Sequence, residues 1–132
     1  MTDPTLVADI KKAVDAQFDD EVAFLQELVR FPSQRGAEQT AQDFMADAFR
    51  RRGYGVDQFA VDVDAIKDHP GFSPVTISYD NAFNVVATHR PKTPTGKSLI
   101  LNGHIDVVPL GPADMWADPP YSAKVDGDWL YG

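Results

Sequence analysis

The stretch LILNGHIDVVPLGP, residues 99–112, carries the two observations on which the reading of this chain turns. Leu99, Ile100 and Leu101 form a continuous apolar run, which reads as a strand buried on both faces of a sheet. If that strand is central, His104 and Asp106 lie at its C-terminal end, the edge where ligand sites of α/β sheets gather. Positions two apart on an extended chain project to the same side, so the imidazole and the carboxylate would face one cleft while Ile105 packs inward.

The chemistry of the pair is that of a metal site. A neutral imidazole is a common zinc ligand, and a carboxylate that holds its other nitrogen fixes the tautomer and the ring direction. Asp106 suits that role, or that of a group that accepts and returns a proton. Spacing alone does not decide the matter: with 17 Asp among 132 residues, about one His in eight has an Asp two places on by chance. A structural histidine and a ligand both stay open at this level.

Outward from this stretch, the rest of the chain limits what the pair can mean. Its 132 residues suit one domain with a core and are too few for two ordinary ones. A hydrophobic content of 43% and a charged content of 24% are those of a soluble globular protein. The absence of cysteine excludes disulfides, thiolate nucleophiles and Cys-type zinc sites. A net charge of -8 argues against non-specific binding to nucleic acid or anionic membranes. The one basic cluster, Arg50 to Arg52, sits where a helix should end and complements its dipole. No run is long enough to cross a bilayer, and MTDPTLVADI lacks the regions of a secretion signal, so a cytoplasmic location is expected.

Asp3 and Pro4 form a helix-start pair. Leu6, Val7, Ile10, Val14, Phe18, Val22, Leu25, Leu28 and Val29 then recur at helical intervals, which predicts one long helix, or two broken near Asp19 and Asp20, ending at Phe31 and Pro32. A second helix carries Ala41, Phe44, Met45, Ala48 and Phe49 on its core face and closes at Gly53. Alternation over 56–63 predicts a half-exposed strand, and VTISY and FNVVATHR are further strand candidates. In YSAKVDGDWLYG, Asp126 and Gly127 mark a hairpin turn. The order is two helices followed mostly by strands, an α/β layer structure.

Longer matches surround the pair. GHIDVVP at 103–109, Trp116, DPPY at 118–121 and DGDWLYG at 126–132 resemble the zinc-dependent metallopeptidase and deacylase family of acetylornithine deacetylase, succinyl-diaminopimelate desuccinylase, aminoacylase and carboxypeptidase G2. Weaker matches are LVRFPS at 28–33 with Gly36 and Glu38, the helix ending in Gly53, and Asn84. The likeness runs in order from about residue 20 to the last, with Tyr121 where Phe is usual.

The resemblance implies that His104 binds one of two zinc ions and that Asp106 orients it and counts as catalytic. It implies that residues 1–132 are the N-terminal portion of a zinc-exopeptidase-like three-layer catalytic domain. The family pattern continues after Leu-Tyr-Gly with a metal-bridging Asp, a Glu general base, further ligands and a lid domain used for dimerisation, all beyond Gly132. The expected parent is a dizinc amidohydrolase or exopeptidase acting on N-acyl amino acids or small peptides, with an N-acyl amino acid deacylase preferred. Zinc is the expected metal, and cobalt or manganese suits the same donors. A catalytic zinc site needs three protein ligands, so hydrolysis by this polypeptide alone is not expected. His69 and His89 read as surface or loop residues, and Asp114 and Asp118 as solvated acids of a Pro-rich loop. The competing reading is a free-standing, non-catalytic α/β binding module. The iron and 2-oxoglutarate oxygenases also use His-x-Asp, but they need a distal histidine and none follows His104.

Overall fold

In the computed structural model, residues 3–74 and 76–132 are described, and they divide into two compact units. One unit joins Met1–Phe31 to Pro112–Gly132; the other is Pro32–Gly111.

The first unit opens with helix α1, Pro4–Val29, a single unbroken helix of 26 residues. It begins where the sequence places it: the Asp3 carboxylate accepts the Thr5 N–H at 2.9 Å, and Pro4 occupies the first turn, where no N–H is needed. Its apolar stripe is exposed, with Leu6, Ile10, Val14 and Phe18 each more than half accessible. Near its other end, the Gln26 side chain donates to the Ala123 carbonyl at 2.8 Å. Ala123 is buried, and both it, at φ 52, and the half-buried Tyr121, at φ 62, are left-handed, a conformation that non-glycine residues adopt at a cost of about 1–2 kcal/mol.

The same unit ends in a hairpin of Lys124–Asp126 against Trp129–Tyr131, antiparallel, with Asp126 opposite Trp129. The turn is centred one residue later than the sequence predicts: Asp126 closes the ladder, and Gly127 and Asp128 make the two-residue loop. Of these two, only Gly127 has positive φ, at 58, as a type II′ turn requires. Gly132 approaches Val29 so closely that a Cβ there would overlap Val29 Cγ1.

In the second unit, helix α2, Gln39–Arg51, packs on a two-stranded antiparallel sheet. The strands are β1, Gly55–Ala60, and β2, Phe83–Thr88, in the register Gly55 to Thr88 through Ala60 to Phe83. Gly53 ends α2 in a Schellman motif: its N–H bonds the Arg50 carbonyl and the Tyr54 N–H bonds the Phe49 carbonyl, with Gly53 at φ 78. The fully buried residues of α2 are Ala41, Ala46 and Ala48, while Phe44, Met45 and Phe49 are half-buried. On β1 the half-buried side chains are Val56 and Gln58, and Phe59 is turned outward.

Among the described residues the fold is mixed α/β, with two small antiparallel sheets. Three sequence expectations are corrected. Leu99–Leu101 form no strand and are 80%, 89% and 87% exposed, because a strand exists through its hydrogen-bonded neighbours and no described segment pairs with this run. The strand expected over 56–63 stops at Ala60, where the Asp62 carboxylate accepts the Ala65 N–H and starts the one-turn helix α3, Val63–Ile66. The strand expected at VTISY is irregular over 76–79, and Val75 lies outside the described residues.

Candidate functional site

His104 and Asp106 lie in the second unit, on irregular backbone after the LIL run. Their side chains meet: His104 Nδ1 is 3.1 Å from Asp106 Oδ1 and 3.0 Å from the Asp106 carbonyl oxygen. Both partners are acceptors, so the geometry calls for a proton on Nδ1. In the neutral ring that leaves the Nε2 lone pair available. With an imidazole side chain 84% exposed, Nε2 is open to a ligand.

Arg35 lies near the other oxygen of Asp106. Arg35 Nε stands 3.6 Å from Asp106 Oδ2, with the arginine 71% exposed. The backbone under the pair is fastened by the loop after α1. The Ser33 hydroxyl donates to the Ile105 carbonyl at 2.8 Å, and the Val107 N–H donates to the Ser33 carbonyl at 3.0 Å. Gln34 and Val107 form an isolated parallel bridge.

The other acids and histidines of the sequence go elsewhere. His69 Nδ1 accepts the Gly71 N–H at 3.0 Å in a loop, and the His89 ring lies against Tyr54 with centroids 5.6 Å apart. Asp118 pairs with Lys124 at 3.0 Å, and Asp114 lies in a single 3-10 turn, Ala113–Met115. Both carboxylate oxygens of Glu38 accept the Gly36 N–H, at 3.0 and 2.9 Å. A shallow depression of about 500 Å³ lined by Asp62, Asp64, Ile77 and Tyr79 includes neither His104 nor Asp106. Among the described residues, no group of three or more His, Cys, Asp or Glu is placed to hold a metal ion.

No family model matches the chain. Individual proteins do. A succinyl-diaminopimelate desuccinylase of Methylorubrum extorquens is 33% identical over 112 residues, 84% of this chain and 25% of that protein. An uncharacterized carboxypeptidase of Schizosaccharomyces pombe is 31% identical over 118 residues, 86% of this chain and 18% of its own. Succinyl-diaminopimelate desuccinylase of Dinoroseobacter shibae is 37% identical over 62 residues, 47% of this chain and 16% of its own. Over most of its length the chain is homologous to desuccinylases and a carboxypeptidase. It spans a quarter or less of the length of these relatives.

In this chain the sequence points to His104 and Asp106, and the fold brings them into contact. It does not point to Ser33 or Arg35 as neighbours of the pair. FPSQRG offers a trace, a polar run directly after a helix-ending proline, but a contact across 72 residues has no signature in local spacing.

Proposed function

We propose that this chain supplies the N-terminal, metal-ligating part of the catalytic domain of a zinc-dependent hydrolase that cleaves the amide bond of N-acyl amino acids or small peptides. The observation that carries the reading is the His104–Asp106 contact, in a chain homologous to desuccinylases and a carboxypeptidase.

The residues present fit one position of a metal site. His104 would ligate through Nε2, and Asp106 would hold Nδ1–H and so fix the tautomer and ring direction. A catalytic zinc needs three protein ligands, and the remaining ones are not assembled among the described residues. They belong, in this proposal, to the part of the relatives that this chain does not span, along with a Glu general base and a lid used for dimerisation. When bound, the metal supplies Lewis acidity toward the substrate carbonyl. Asp106 would supply orientation, and its carboxylate on Nδ1–H would raise the donor strength of Nε2 toward the metal.

Replacement of His104 by Ala in the native polypeptide tests the proposal. Bound zinc and hydrolysis of N-acyl amino acids are both expected to fall away. Retention of both at wild-type level would exclude ligation by His104.

A further inference from the structure

Asp106 can orient His104 only if its own backbone is fixed, and the residue that fixes it lies 73 positions earlier in the chain. Ser33 is the only buried polar residue among the described ones, at 5% exposure. It grips the His104–Val107 backbone at two points: its hydroxyl donates to the Ile105 carbonyl, and its own carbonyl accepts the Val107 N–H. These two peptide groups flank Asp106 on either side, so the clip sets the direction in which the carboxylate leaves the backbone.

Ser33 is itself well placed for this. The turn after α1 is closed by the Gln34 N–H on the Pro32 carbonyl at 2.8 Å and the Ala37 N–H on the Gln34 carbonyl at 2.8 Å. Proline fixes φ at the residue before the serine. Arg35 cannot do the same work, since a long, exposed side chain at 3.6 Å from the carboxylate holds little.

We propose that Ser33 is a positioning residue: its two-point clip on Ile105 and Val107 aims Asp106, and through it the His104 ring. This rests on the functional reading of the His104–Asp106 pair given above. The relation is that of an outer support to a ligand, where loss typically lowers activity or metal affinity by about 10- to 100-fold.

The test compares Ser33→Ala, Ser33→Thr, Asp106→Asn and the Ser33→Ala/Asp106→Asn double variant in the native polypeptide. The readouts are kcat on N-acyl amino acids, zinc dissociation under chelator competition, and exchange of the Val107 amide hydrogen. Ser33→Ala is expected to lower kcat or zinc affinity by about 10- to 100-fold and to speed Val107 exchange. Ser33→Thr, which keeps the hydroxyl, should restore both. In the Asp106→Asn background the serine substitution should add less than about twofold, because both changes act through one group.

A wild-type kcat and zinc affinity in Ser33→Ala, beside an impaired Asp106→Asn, would overturn the inference and leave the functional reading intact. Equal losses in both backgrounds would also overturn it, since Ser33 would then act by another route. An unimpaired Asp106→Asn would overturn the functional reading and this inference with it. Should Ser33→Ala fail to fold, Ser33→Cys, which replaces the hydroxyl by a larger and weaker donor, is read by the same criteria.

Discussion

His104 stands almost fully in solvent, so its ring direction depends on what its own chain provides two residues later. That dependence separates the two members of the pair. Replacing Asp106 by Asn keeps an oxygen near Nδ1 but removes the charge, so most of the bound zinc should remain while kcat falls. Zinc content and turnover measured on the same preparation check this, and an unchanged kcat would leave Asp106 merely structural. Arg35→Ala should change stability by less than about 1 kcal/mol, as befits an exposed ion pair. A denaturant titration reads that difference. The pair itself was legible because a histidine and an aspartate two residues apart can meet through local geometry alone. Ser33 was not, because its bond to Ile105 depends on how a distant loop docks.

At the scale of elements, the best-read features were those with local causes. Asp3 before Pro4, Gly53 after α2 and the Asp126–Gly127 turn each act within a few residues, and each is found in the fold, the turn displaced by one. Gly53→Ala should cost roughly 1–2 kcal/mol, since alanine would have to adopt a left-handed φ to keep the Schellman bonds. Thermal melting of the variant measures it. The LIL run shows the opposite case: apolarity allows a strand, but only a neighbouring ladder makes one.

The join between α2 and β1 carries a pH dependence. The Asp43 carboxylate accepts from the side-chain amides of Gln58 at 2.8 Å and Gln39 at 2.9 Å. These bonds, Gln58 first, hold its pKa below the ordinary 3.8, with slight burial opposing and Arg50 assisting. A depressed pKa means that this contribution is fully present above the unfolded value and is lost as pH falls through the lower folded one. Denaturant stability should therefore decline below about pH 3.8 in part through this join, and Gln58→Ala should flatten that part of the curve.

For the molecule as a whole, the buried core of the described residues consists of alanines, Ala41, Ala46, Ala48 and Ala123, with no large side chain fully buried. Meanwhile Leu6, Ile10, Val14 and Phe18 of α1, and Leu99, Ile100 and Leu101, lie open to solvent. Helical period along α1 correctly marked an apolar face, but period says only that a face seeks cover, not where the cover comes from. The same holds for the proposed metal site, where one candidate donor is legible and no set of three is assembled among the described residues. The 132-residue polypeptide expressed by itself is therefore expected to self-associate, and sedimentation velocity should show species well above 14.5 kDa.

The central claim is that His104 ligates zinc in the protein that carries this sequence. A native mass spectrum of that protein purified from its own source, set beside its His104→Ala variant, tests it most directly, because chain mass and bound metal are read together. A chain heavier than 14.5 kDa with two zinc ions is expected, at least one of them lost in the variant. A metal-free wild type, or an unchanged zinc count in the variant, would contradict it.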